Sequence, residues 1–167
     1  LAARLACSPR TLYELAPSKD QLFLLVLDRL MHRIGRAALA ALDAGAPAAV
    51  QLRQYATGSL MYTLRSNAYD DLADLPGAFR LIDRHHQFAA TILERIVASG
   101  IDRGEFRSVD SSVAAQVILA GAVQVAHPDV IDALGLSLND AVSEMIDLVL
   151  TGLLDRPSTP GGRAVRR

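Results

Sequence analysis

Apolar residues return every three to four positions along most of this chain, the period of an amphipathic helix rather than of a half-buried strand. Proline and glycine cut the pattern into segments. Leu1, Ala2, Leu5 and Ala6 read as the last turns of a helix whose start is expected upstream of residue 1. Ser8-Pro9 reads as a cap followed by proline at the first helical position, where a missing N–H does no harm, so a short helix is expected to about Leu15. Pro17 interrupts it. Ser18-Lys19-Asp20-Gln21 then has the form of a capping box, with Gln21 reaching back to the cap. Leu22, Val26, Leu30, Ile34, Ala37 and Ala41 continue from there as one long helix to about Ala44.

Gly45 and Pro47 end that helix and open the next, which carries Val50, Tyr55, Leu60, Met61, Tyr62 and Leu64. Asn67 to Pro76 is acidic and irregular. After Pro76-Gly77, a helix marked by Phe79, Ile82, His86, Ala89, Leu93 and Ile96 is expected to stop at Gly100. A turn over Gly100–Ser108 leads to Asp110 or Ser111 as the cap of an almost wholly apolar helix, Val113 to about Val125. Pro128–Gly135 reads as a short helix or turn. In Leu138–Leu154, Ala141, Met145, Leu148, Val149 and Leu153 are spaced for burial. The expectation is an all-α fold of about eight helices. Residues 1–44 form part of a head and a connecting helix, 45–155 the body, and 156–167, rich in Pro, Ser, Thr, Gly and Arg, a disordered tail.

Composition agrees with helix packing. Ala and Leu are abundant, aromatic residues few, and Trp absent. No uninterrupted apolar run approaches the roughly 20 residues that span a bilayer, and no basic leader opens the chain, so a cytoplasmic protein is expected. The single Cys7 excludes an intrachain disulfide and any cysteine metal cluster. The net charge of −1 hides a polarity. Residues 1–42 carry a surplus of three positive charges, whereas residues 43–155 hold fifteen acids against seven arginines. A basic end on an acidic body fits a protein that turns one end toward a polyanion, although surpluses of this size also arise by chance.

The stretch that carries most chemistry is Leu1–Lys19, LAARLACSPRTLYELAPSK. It reads as helix, tight turn, short helix, tight turn and capped long helix. A helix-turn-helix needs small residues where its helices cross, and Ala2, Ala3 and Ala6 supply them. Ser8 would cap the second helix, leaving Arg10, Thr11 and Tyr13 to reach outward. Ser18 and Lys19 would offer amides and a cation to a phosphate. An ordinary antiparallel helical corner with surface Arg and Lys fits the same pattern.

These residues resemble the second half of the DNA-binding motif of the TetR family of transcriptional regulators. Its usual form is an Ile-Ala pair, a small-residue turn, then Ser-x-x-Thr-Leu-Tyr-x-x-Phe-x-Ser-Lys. Ser8, Thr11, Leu12, Tyr13, Ser18 and Lys19 match with the spacing intact, and Leu1-Ala2 stands in the place of Ile-Ala. Ala6 replaces the usual turn Gly, Cys7 a common Val, and Ala16 the usual Phe. The first helix of the three-helix head and the start of the second are expected upstream of residue 1, so this segment alone is not expected to bind DNA well. Ile101–Arg107 resembles the turn before the eighth helix of the family.

The resemblance implies a non-enzymatic regulator, most often a repressor, with no cofactor. It implies that Arg10 and Thr11 contact base edges or flanking phosphates, that Tyr13 and Lys19 contact phosphates, and that Ser8 caps. Partial core packing is the other reading of Tyr13. A homodimer would read a near-palindromic operator in double-stranded DNA, with heads about 34 Å apart. The dimer face would use Val117, Gly121, Val125, Met145, Val149 and Leu153 in a four-helix bundle, unless both helices are simply the core of a monomer.

A small-molecule effector is expected among the body helices. Candidate lining residues are Tyr55, Tyr62, Phe79, His86, Phe88, Gln116 and His127, each of which is also suited to plain core packing. Two other classes remain open. One is a helical metal enzyme using His85, His86, His127, Asp70, Asp71, Asp74 and Asp83. It lacks any Glu-x-x-His spacing, and His85 and His86, about 100° apart on a helix, are not expected to face one site. The other is a helical interaction module without a DNA role.

Overall fold

In a computed structural model of the chain, the described residues are 8–60 and 75–154. They form seven helices: α1 (Pro9–Leu15), α2 (Lys19–Ala40), α3 (Ala48–Leu60), α4 (Pro76–Asp102), α5 (Ser111–Val125), α6 (Pro128–Leu134) and α7 (Leu138–Leu153). The fold is all-α; the one extended pairing among the described residues is an isolated bridge between Phe106 and Leu154. The anticipated helix end before Ser8, the Asn67–Asp74 loop and the tail from residue 155 lie outside the described residues. No single described helix is long and apolar enough to cross a membrane.

Capping side chains start the helices where their spacing predicts. Ser8 Oγ accepts from the Thr11 amide at 3.1 Å, and Ser18 Oγ from the Gln21 amide at 3.1 Å. Asp110, not Ser111, caps α5 by accepting from Val113 N at 2.9 Å. Ser137 does the same for α7. Each bond satisfies an amide that the helix itself leaves without a partner. At the other end of α6, Gly135 takes the left-handed conformation at φ 64°, which a Cβ would strain.

Two helix ends differ from expectation. The long helix α2 stops at Ala40 rather than Ala44, because Asp43 bends the chain into a turn in which its carboxylate accepts from Gly45 N at 2.9 Å. Helix α4 continues through Gly100 to Asp102. Gly100 is needed for close approach and not as a terminator: a Cβ there would lie 2.5 Å from the Phe106 ring and 2.7 Å from Ala48 Cβ. The turn itself is made at Gly104, whose φ is 70°.

The main core gathers α3, α4, α5 and α7 around Leu52, Val97 and Ile118, which are the largest fully buried side chains. Each contributes about 1.5–3 kcal/mol by leaving water. A smaller cluster joins the first half of α2 to the start of α4, with Leu27 and Met31 against Ala78. Helices α2 and α3 touch almost backbone to backbone. A Cβ on Gly58 would stand 2.9 Å from Ala38 Cα, so that crossing accepts no larger residue.

The Ile101–Arg107 turn locks the body together. Phe106 is buried, and the Arg107 amide donates to Leu153 O at 2.9 Å, tying the turn to the end of α7. The Glu105 carboxylate accepts from the Ala48 amide, capping α3 from a distant part of the chain, and pairs with Arg103 at 2.9 Å. Truncation by Glu105→Ala should therefore lower stability by about 1 kcal/mol, whereas Glu105→Gln, which keeps the acceptor, should lose less. Chemical denaturation of the two variants measures this; equal losses would show that the remote cap contributes nothing.

Candidate functional site

Two regions gather the residues with functional chemistry. At the N-terminal end stands the seven-residue helix α1. Arg10, Thr11 and Tyr13 are exposed, Tyr13 at 67%. Tyr13 is thus not a core residue in this chain. Ala16, in the corner that follows, is buried and anchors the end of α1. Lys19 opens α2 on the exposed side, next to the Ser18 cap.

Two of these side chains are engaged locally. Arg10 Nε pairs with Glu14 at 3.1 Å, and the Thr11 hydroxyl lies 2.9 Å from Ser8 Oγ. The Arg10 pair is well solvated, so it contributes little and yields readily to a stronger anion. Ser8 acts as the expected cap. Cys7 and the small residues Ala2, Ala3 and Ala6 lie outside the described residues.

Deeper in the body, α2, α3, α4, α5 and α7 enclose a cavity of about 300 Å³. Its wall is mostly hydrocarbon, with Met31 and Ile34 from α2, Leu93 from α4, Ile118 and Leu119 from α5 and Ile146 from α7. Polar atoms come from Tyr55 and Ser59 on α3 and from His85 and His86 on α4. Burial pushes the Tyr55 phenol up to about 12, so it is a neutral hydroxyl at any ordinary pH.

Of the seven lining candidates, Tyr55 and His86 line the cavity. Phe79, Gln116 and His127 do not: each lies on an exposed face, turned to solvent. Phe88 lines a second hollow of about 290 Å³, where it packs against Gly35. Tyr62 lies outside the described residues, as do Asp70, Asp71 and Asp74.

The expectation that His85 and His86 cannot share a site is corrected. Both line the cavity, with ring centroids 6.2 Å apart. Ile82, His85, His86, Ala89 and Leu93 form a single i, i+3, i+4, i+7, i+11 stripe on α4, and such a stripe is wide enough to hold neighbours 100° apart. That spacing is the signal by which His85, and with it Ile82, are open to prediction as lining residues. No group of three or more His, Cys, Asp or Glu side chains converges among the described residues.

The dimer-face candidates divide. Met145 and Leu153 are buried in the chain's own core, Met145 directly over Gly121. Val125 and Val149 are half-buried against that core. Val117 is mostly exposed, as are Val113 on the same side of α5 and Leu148 on α7, the last at 75%. Leu148, although spaced for burial, faces outward because α7 turns only Ala141, Val142, Met145, Ile146, Leu150 and Leu153 inward. The packed and the outward apolar stripes therefore adjoin on the same two helices.

Comparison with known proteins agrees with this architecture. Residues 75–146 match the family of the tetracyclin repressor-like C-terminal domain. A transcriptional regulator from Rhodococcus sp. RHA1 superposes with a TM-score of 0.71 at 18% identity, over 93% of this chain and 86% of its own. A regulatory protein of the TetR family from the same organism gives 0.69 at 20% identity, covering 93% and 85%. The TetR-family regulator PfmR of Thermus thermophilus gives 0.67 at 21%, covering 93% and 87%. The chain shares its fold with these regulators. No curated protein sequence matches the chain. Helix α4, which lines the cavity, falls within the matched region.

The two histidines also set a pH response. Burial lowers the His85 imidazole below its ordinary value, and His86 and His32 lower it further by repulsion. Burial likewise lowers His86, against the opposing pull of Asp83. Lowered folded values mean that the unfolded chain takes up protons first as the pH falls. Their contribution to stability is full above the unfolded value of about 6.5 and is lost as the pH drops through the lowered folded values. The melting temperature should fall between about pH 7.5 and 5.5, and His85→Gln with His86→Gln should flatten that fall. Parallel profiles for the two proteins would contradict the assignment.

Proposed function

We propose that this chain is a DNA-binding transcriptional regulator of the TetR type, a homodimer whose operator affinity is set by a small molecule held in the body cavity. The observation that carries the reading is the position of α2. One end is capped by Ser18 and follows the exposed helix α1; the middle supplies Met31, Ile34 and Ala38 to the cavity wall. Anything that fills the cavity presses on the element that carries the head.

In this reading α1 is the recognition helix. Arg10, released from Glu14, and Thr11 meet base edges or adjacent phosphates, while Tyr13 and Lys19 hold the phosphate backbone. The outward apolar side of α5 and α7, with Val113, Val117 and Leu148, meets its copy across a twofold axis. The ligand acts by binding one separation of the two heads better than the other; with equal affinity for both it would shift nothing. The repressing direction, in which the ligand releases the operator, is the one we assign.

The test is equilibrium binding of the full-length protein to DNA from its own upstream region, titrated with salt. Lys19→Ala should weaken binding to every sequence alike and reduce the salt slope by about one. Arg10→Ala should lose about 1–3 kcal/mol, and more on the preferred sequence than on random DNA if it reads a base. Leu148→Glu, far from α1, should lower operator affinity together with the dimer mass. Wild-type affinity in all three variants would defeat the proposal.

A further inference from the structure

The polar groups of the cavity are gathered on one side. Tyr55 is its one phenol, and the two imidazoles His85 and His86 are its only potential cations; no carboxylate, Lys or Arg lines it among the described residues. His85 also lines the second hollow, whose wall holds His32, Arg36 and Arg84. His85 therefore stands between the hydrocarbon cavity and a second hollow with basic residues in its wall. Met31, on α2, is likewise common to both.

We propose that the cavity takes an amphiphilic carboxylic acid, its hydrocarbon part among Met31, Leu93 and Ile146 and its carboxylate at His85 and His86. The proposal rests on the reading of this cavity as the effector site and adds the chemistry of the effector. Charge complementarity carries it. Near the imidazoles are Tyr55 from α3, His32 and Arg36 from α2, and Asp83 and Arg84 on α4 itself, with Asp28 of α2 against Arg84 and His32. Asp28 is engaged by Arg84 and lies 3.6 Å from His32, so the Asp28–Arg84 pair adds little net charge and leaves Arg36 set against Asp83. No residue of α5 or α7 that lines the chamber is charged. An incoming carboxylate thus meets two imidazoles that can take up a proton and no lining acid among the described residues, while its hydrocarbon part removes apolar wall from water. The volume, near the lower end of the roughly 300–1,000 Å³ of small-molecule pockets, fits a compact ligand and not a large conjugate.

The proton balance follows directly. Burial lowers both free imidazoles, with repulsion from His86 and His32 added at His85, so that they are neutral near pH 7. A carboxylate beside them stabilises the charged form, so binding takes up a proton from solvent. Affinity should then rise as the pH falls toward the free imidazoles' lowered values, down to the pH at which the ligand itself is protonated.

Isothermal titration of the full-length protein with decanoate, 1-decanol and decylamine tests this, using monomeric ligand in buffers of different ionisation enthalpy. Decanoate should bind at least about tenfold more tightly than the alcohol or the amine near pH 6.5, with net proton uptake that the alcohol does not show. His85→Gln with His86→Gln should abolish the proton uptake and bring decanoate to no more than the affinity of 1-decanol for the same variant. The wild-type uptake keeps the test decisive even if that double variant fails to fold. Equal affinities for the acid and the alcohol would overturn the carboxylate assignment and leave the cavity reading in place. Absence of binding by all three would overturn both. DNA binding, measured separately, decides the regulator reading on its own.

Discussion

Helix α2 must satisfy two environments with one rigid rod. Its 22 residues span about 33 Å, from the Ser18 cap beside α1 to Ala40 over α3. Along the way Leu27 and Met31 pack against the start of α4, and Ile34 and Ala38 enter the cavity wall. Gly58 then lets α3 approach so closely that a Cβ there would stand 2.9 Å from Ala38 Cα. A rod clamped at one end and contacting the ligand space in its middle has few ways to respond to a ligand except by tilting. In the proposed regulator, that constraint is what would convert cavity occupancy into displacement of α1. It also explains why the lining of α2 is apolar: a polar wall would leave unpartnered groups buried whenever the cavity is empty.

Much of this is legible in the order of residues. Ser8-Pro9, Ser18 with Gln21, Asp110 and Pro128 place helix starts because capping is local chemistry, written within four residues. The motif from Ser8 to Lys19 specifies an exposed short helix for the same reason, and Tyr55 and His86 stand out as polar groups on apolar stripes. The family match over residues 75–146 and the all-helical fold agree with the reading of the opening residues, although they rest on different parts of the chain.

What escapes the sequence depends on contacts between distant segments. Gly100 reads as a terminator until Phe106 and Ala48 are seen resting on it. Periodicity alone cannot tell which apolar stripe of α5 or α7 meets the chain's own core and which faces out, and so Met145 and Leu153, spaced for burial, also read as dimer face, and Leu148 as buried. Phe79, Gln116 and His127 are of the types that line cavities, but residue type does not fix the angle from which a helix meets the hollow. The remote cap from Glu105 to Ala48 joins positions 57 apart and has no local signature.

The central claim is that filling the cavity moves the head through α2. Ala56→Phe tests it most directly, because Ala56 lines the cavity on α3, away from the outward faces of α5 and α7, and the larger ring occupies the space a ligand would take. With dimer mass and helix content unchanged, this variant should bind the operator at least about fivefold more weakly than the wild type, the lower range of allosteric coupling. Identical operator affinity in a folded, dimeric variant whose cavity is filled would contradict the account.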